Sequence, residues 1–332
     1  MLVKSSRHLL MLIAATFSFT ACGPERGVKE SEGSQLQEMI NESNRPERLD
    51  KAVNWNYDPD SLPGFGESAS IVWSGNWWPL SQGGTIAAMR KYDSAQQTGG
   101  TAARWEQQSA DATQGVSWAG HCNGLAAAGI NEQKPLRSVT YRGVTFTPQD
   151  IEALLVEKWQ GTQGINLVGK RCQGPTAYDG TGRPIDGSCR DFNPASFHLL
   201  LENVVGLQRS PFILDIEASE AVWNYPVVSY QTRTEEISLN QAVAYTRQSG
   251  NYQLNPSATQ FLKATTTIKL ATGKEKTYEY VLEGQNGLII GGEWINGSLK
   301  DHPDFGWYAG QAHAANPALD ISIIDAIARQ SF

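Results

Sequence analysis

The chain has 332 residues and a net charge of −7, and 18 % of its side chains are charged, below the roughly 25 % of an average soluble protein. No basic run is long enough to track a phosphate backbone, which excludes nucleic acid as a partner, and a hydrophobic content of 40 % excludes a disordered chain. No stretch approaches the roughly 20 apolar residues that span a bilayer as a helix, so a polytopic membrane protein is excluded as well. Four cysteines, 10 tryptophans and 32 glycines are what the sequence asks to have explained.

Residues 1–21 have the form of an export signal. Lys4 and Arg7 give a positive start, and Leu9 to Phe19 is a mostly apolar run too short to remain as a membrane helix. The run ends Phe19-Thr20-Ala21-Cys22, small residues before a cysteine, which resembles a bacterial lipobox. Cleavage there leaves Cys22 first, lipidated through its sulfur and amine; an ordinary signal peptide with an incidental cysteine is the alternative. Residues 22–51 are rich in Glu, Ser, Asn, Arg and Gln with little hydrophobic periodicity, and read as a solvated tether. Gly23 follows Cys22, not the Asp that often retains lipoproteins at the inner membrane. In a Gram-negative cell the expected anchor is therefore the outer membrane.

Residues 52–332 read as one α+β domain with a β-rich C-terminal half. Ile71 to Pro79 is strand or loop. Gly120 to Ile130 is a turn running into a small-residue helix, and Val139 to Thr145 a short hairpin around Arg142-Gly143. Thr147-Pro148 supplies an N-cap and a first-turn proline, and Ile151, Leu154, Leu155 and Trp159 follow at helical spacing. Gly161 to Pro194 has little periodicity and reads as loop. Phe197 to Val205 and Phe212 to Glu217 are branched apolar runs that predict strands. A meander closes the domain: residues 265–270 and 276–283 joined at Thr272-Gly273, then 287–294 after an Asn-Gly turn.

Export implies an oxidising compartment, where cysteines pair. Cys172 and Cys189 lie in the loop-rich segment, and a disulfide there stabilises by about 3 kcal/mol in the chain-entropy model. Zinc, with His198 as a further ligand, is the alternative, but the spacing matches no standard zinc pattern and a fourth ligand is missing. With Cys22 assigned to lipid, Cys122 stands alone, and an odd cysteine in an exported protein is either a buried inert one or a functional thiol. Its context is Trp118-Ala-Gly-His-Cys-Asn-Gly124, a glycine turn entering an Ala-rich helix. The positive end of a helix lowers a thiol pKa, and Gly120 and Gly124 would leave room for a substrate backbone.

A thiolate nucleophile needs a partner that moves protons. His8 is lost with the signal. His121, next in sequence to Cys122, is expected as a cap or substrate-side residue, and His302 and His313 lie in the C-terminal half, His302 in a polar turn. His198 opens a predicted apolar strand, ordinarily the place of a satisfied core histidine. The next predicted strand embeds Asp215, a carboxylate that is costly to bury unpaired. Antiparallel pairing would set His198 beside Asp215, which would orient the imidazole; Asn224 is the rival for that third role.

Cysteine at a helix start, then histidine on one strand and aspartate on the next, is the order of the papain and transglutaminase-core superfamily. The chain resembles one branch more closely, the transglutaminase elicitor family of oomycetes and their bacterial relatives. The resemblance rests on Trp73-Ser-Gly-Asn-Trp-Trp-Pro79, Trp118-Ala-Gly-His-Cys-Asn-Gly124, Cys189-Arg-Asp-Phe-Asn-Pro-Ala-Ser-Phe-His198, Val222-Trp-Asn-Tyr-Pro226, Ile289-Ile-Gly-Gly-Glu-Trp294 and His302-Pro-Asp-Phe-Gly-Trp307. It implies a papain/transglutaminase-like core with the nucleophile at a helix N-terminus packed on an antiparallel sheet. It carries the nucleophile onto Cys122, the base onto His198 and, less distinctively, the acid onto Asp215. The implied activity is protein-glutamine γ-glutamyl transfer, with glutamine-bearing proteins as donors and lysine amines as acceptors. The Cys122 N–H and one of Trp73, Trp77, Trp78 or Trp118 would form the oxyanion and substrate cleft. No cofactor is implied and no metal is expected, since Asp179-Gly-Thr-Gly lacks the further acids of an EF-hand loop. Two rival readings stand beside it: a cysteine peptidase or amidase on the same residues, and a non-enzymatic tryptophan-rich lipoprotein that binds glycan or protein.

Overall fold

Turn chemistry lays out the β-rich half. The structure, a computed structural model, describes residues 55–169, 171–172, 177–178, 180, 185, 192–247, 252 and 254–332; the export segment, the tether, Cys22 and Cys189 lie outside the described residues. Strand β7 (Gln260–Leu270) turns at Thr272-Gly273 into β8 (Glu275–Gln285). Asn286 and Gly287, at φ 52° and 76°, turn β8 into β9 (Leu288–Trp294). Both residues sit in the left-handed region that a two-residue hairpin requires and that an Asn-Gly pair adopts readily. The same geometry at Arg142 and Gly143 joins β2 (Val139–Tyr141) to β3 (Val144–Phe146), as the sequence predicts.

The main sheet is antiparallel, in the order β4-β10-β5-β6-β7-β8-β9, with β1 (Phe65–Glu67) also on β6. Here β4 is Gly164–Gly169, β5 Phe212–Asp215, β6 Asn224–Glu236 and β10 Phe305–Ala309. β10 comes from the far end of the chain and inserts between β4 and β5. It brings Phe305 opposite Asp215, which is in turn opposite Asn224.

Four helices form a layer on one face: α1 (Ile86–Gln96), α2 (Thr101–Ala112), α3 (Cys122–Asn131) and α4 (Pro148–Gln160), with α7 (Ile321–Ala328) against them. Thr147 caps α4 in a reciprocal box with Asp150, and Pro148 opens it. Glycines let the layer close. A Cβ on Gly124 would lie 2.5 Å from the Val156 carbonyl oxygen of α4, and one on Gly120 would lie 2.5 Å from the Trp77 ring. Gly124 thus lets α3 close on α4, and Gly120 lets the Trp77 ring close on the turn before α3.

The largest departure from expectation is residues 197–205, which are helix and not strand. They belong to α5 (Pro194–Leu200) and the π-helix Leu201–Leu207 that continues it, with Asn193 as N-cap and Pro194 in the first turn. Every residue of α5 is buried. A helix covered on all sides is apolar all round, and its periodicity then cannot be told from that of a buried strand. The segment expected as loop also yields β4. Helix α6 (Leu239–Thr246), capped by Ser238, crosses to β7 and β8.

Side-chain alternation on β5 divides the core. Ile213 packs with the four-helix layer, whereas Phe212 and Leu214 pack with Phe197, Leu199 and Leu200 of α5. The sheet therefore stands between α3 and α5, and Asp215 shares the parity of Ile213, the α3 side.

Candidate active site

Cys122 is the first residue of α3 and is 4 % exposed. Its thiol lies 3.5 Å from the carbonyl oxygen of Val222. The N–H of the same peptide unit, on Trp223, donates to Asp215 Oδ1 at 2.9 Å. One peptide thus touches the thiol with one end and the carboxyl with the other. Burial pushes the Asp215 carboxyl well above the usual range; the Trp223 N–H pulls it back only in part, and the nearby Cys122 adds to the rise. Asn224, across the ladder from Asp215, accepts from Trp307 Nε1 at 2.9 Å.

Aromatic walls surround the thiol. Trp118 and Val222 pack on Cys122 together with Trp77, Trp223 and Phe305. Trp77 and Trp223 meet edge to face at 5.4 Å, and the Arg171 guanidinium lies 5.7 Å over the Trp118 ring. Of the four tryptophans singled out in the sequence, Trp77 and Trp118 line this site. Trp73 is a core residue whose indole donates to the Glu132 carbonyl, and Trp78 packs into the helical layer at φ 53°. Trp223 and Trp307 were not singled out, although the Val-Trp-Asn and Phe-Gly-Trp stretches containing them were.

His198 does not join this group. It lies on α5, across the sheet from Cys122, with Nδ1 3.0 Å from the Tyr280 hydroxyl and Nε2 3.4 Å from Glu202 Oε1 one helical turn on. It makes neither a hydrogen bond to Cys122 nor an ion pair with Asp215. The expected side-by-side pairing needs two adjacent strands, and residue 198 is on a helix packed against the opposite face of β5. Burial alone holds its imidazole down at about 3. His302 stacks on Trp294 at 5.4 Å with Nδ1 near the Ser298 carbonyl. His313 is exposed.

His121, the N-cap of α3, sets its ring between acids of α2 and α4. Its Nε2 is 2.7 Å from Glu106 Oε1 and 3.5 Å from Glu157 Oε1. Thr85 completes the set, its N–H on Glu106 and its hydroxyl on Glu157. Burial would push this imidazole down, but the two carboxylates outweigh it and hold it up at about 9, while burial takes Glu157 up to about 7. Among the described residues these three are the grouping with a metal-like donor set. Spacings of hydrogen-bond length mark a proton-bridged ion network that ties α1, α2, α3 and α4 together behind the Cys122 helix start.

Cys172 is buried and its N–H meets the Asp304 carboxylate; its expected partner Cys189 is outside the described residues. Among the described residues, no helix is long and apolar enough to cross a membrane.

A mixed α/β fold with a thiol at a helix start over an antiparallel sheet defines the class. The sequence pattern of the transglutaminase elicitor family matches residues 86–275 and 271–326, and the chain belongs to that family. The fold is similar to the crystal structure of the GP42 transglutaminase from Phytophthora sojae, with a TM-score of 0.67, 20 % sequence identity, and coverage of 92 % of this chain and 99 % of that one. No curated protein sequence matches the chain.

Proposed function

We propose that this protein is an exported acyltransferase of the transglutaminase type, with Cys122 as nucleophile and Asp215 as the group that moves protons. The observation that carries the reading is the Val222–Trp223 peptide, which holds the thiol and a proton-bearing carboxyl on either side of one tryptophan-walled site. The N-terminal end of α3 favours the Cys122 thiolate. That thiolate attacks the carbonyl carbon of a glutamine carboxamide, and the helix start at Cys122 stabilises the oxyanion. Asp215, whose raised pKa keeps it protonated beyond the range of an ordinary carboxyl, gives its proton to the departing nitrogen. Ammonia leaves, and a γ-glutamyl thioester and an Asp215 carboxylate remain. An incoming neutral amine attacks the thioester and passes a proton to Asp215. This forms an isopeptide bond and restores the thiolate and the protonated acid. Water in place of the amine gives glutamate. Asn224, held by Trp307, orients the strand end on which the proton carrier sits.

His198 is not part of this reaction scheme; its base role, expected from the family resemblance, passes to Asp215. Cys22 is proposed as the lipid anchor to the cell envelope and Cys172–Cys189 as a disulfide. The test is incubation with casein and a fluorescent primary amine. Amine incorporation that disappears in Cys122→Ala is the expected result. Ammonia release without incorporation means a deamidase, and peptide-bond cleavage a peptidase. Labelling by neither route, with tight binding to glycan, means a non-enzymatic surface protein.

A further inference from the structure

The other side of the sheet carries a second cleft, of about 430 Å³, with His198 and Glu202 in its lining. Its ionisable residues besides His198 are Asp60, Glu202, Glu236 and Glu283, and no lysine or arginine is among the described residues that line it. The rest is mixed, with Leu262, Leu282 and Ile289 beside Thr232, Thr234 and Gln260. Glu283 is already satisfied, by the Tyr252 hydroxyl and the Asn255 N–H. Glu202 is not: it is 3 % exposed, and its one polar contact among the described residues is the His198 ring at 3.4 Å. The Tyr280 hydroxyl that holds the other nitrogen of that ring is itself fixed by Thr266 at 2.6 Å. Glu202 also lies where α5 gives way to the π-helix, a backbone irregularity that recurs at functional sites.

We infer that this cleft is a binding site for an aliphatic amine, its alkyl chain against the leucines and its ammonium on Glu202. The chemistry follows from the lining. A buried carboxyl with an unused oxygen needs a donor, the acids among the lining attract a cation, and the leucines give an alkyl chain an apolar contact that a hydrated ion does not use. Burial keeps both floor groups uncharged while the cleft is empty, His198 down at about 3 and Glu202 up at about 8, so that Glu202 ionises when a counter-charge arrives. The inference does not rest on the transferase reading, because the sheet separates the cleft from Cys122.

Calorimetry on the mature Cys122→Ala chain tests it without turnover, using 1,5-diaminopentane as probe, 1,5-pentanediol as its uncharged match and calcium chloride as the hydrated cation. The diamine is expected to bind and the diol not to. Glu202→Gln should weaken the diamine at least tenfold. Glu236→Lys, an exposed change at the rim that leaves the core untouched, should weaken it severalfold and decides the matter if Glu202→Gln does not fold. Absence of diamine binding, equal binding of the diol, displacement of the diamine by calcium, or indifference to Glu236→Lys each overturns the assignment.

Discussion

Two of the buried histidines, His121 and His198, lie on opposite sides of the same sheet, and their electrostatics are opposite. His121 lies between Glu106 and Glu157 and is held charged, at about 9. His198 faces a tyrosine hydroxyl and a neutral carboxyl and is held uncharged, at about 3. Burial pushes both imidazoles down, and charged partners make the difference: two carboxylates within reach of His121 restore what desolvation removes. Neither ring reaches the thiol. The α3 side carries the buried Cys122 thiol and the α5 side an acid-lined cleft.

The sharpest way to break this division is through chemistry. Cys122→Ala should reduce amine incorporation by on the order of a thousandfold or more, with the melting temperature little changed. Asp215→Asn, which can neither give nor take the proton, should cost about a hundredfold or more and abolish the pH dependence that Asp215 imposes. Iodoacetamide labelling of Cys122 should stay within about twofold of wild type in His198→Gln, since no hydrogen bond links the two. A large loss of labelling there would restore His198 as the base and undo the two-sided picture.

Next in size is the ion network. Glu106→Ala leaves the His121 imidazolium with Glu157 alone and strips Thr85 of an acceptor, and should destabilise by about 3–5 kcal/mol in urea unfolding. The pH dependence of stability then separates the two histidines. His121 has its folded pKa raised from 6.5 to about 9, so its contribution is complete below pH 6.5 and is lost as pH rises toward 9. That loss is about 3 kcal/mol. His198 is depressed from 6.5 to about 3, so its contribution is complete above pH 6.5 and is lost as pH falls toward 3. Their sum peaks near pH 6.5. His121→Gln should reduce the loss above pH 6.5, to which the raised Glu157 and Glu202 carboxyls also contribute, and His198→Gln should reduce the loss on the acid side; a wild-type change with pH that neither variant alters would refute both assignments.

Much of the α3 side was legible in the sequence. Glycine, cysteine and an Ala-rich run give the helix start, Thr147-Pro148 the cap of α4, and a lone acid in Phe-Ile-Leu-Asp a carboxyl that needs a partner. The α5 side was not legible, because a helix buried all round carries no amphipathic period; Asn193-Pro194, a cap and a first-turn proline, was the available signal. The fold also depends on β10 being inserted beside β5 from about 90 residues away, by the register Phe305 to Asp215. No local pattern encodes that. The Glu106–His121–Glu157 network joins three helices and was equally invisible, since each acid alone reads as a solvated surface charge.

The smallest effect sharpens the comparison most directly. Tyr280→Phe removes the hydroxyl that meets His198 Nδ1 and Thr266. If His198 is neutral, a hydrogen bond between uncharged groups is lost and a buried ring nitrogen is left without a partner, which costs about 1–2 kcal/mol. If His198 were charged like His121, the same deletion would strand a buried cation, and the cost would approach the 3–5 kcal/mol expected for Glu106→Ala. Urea titration of Tyr280→Phe at pH 7 therefore reads the charge of His198 through its stability. A value near that of Glu106→Ala would mean that the two sides of the sheet do not differ as described.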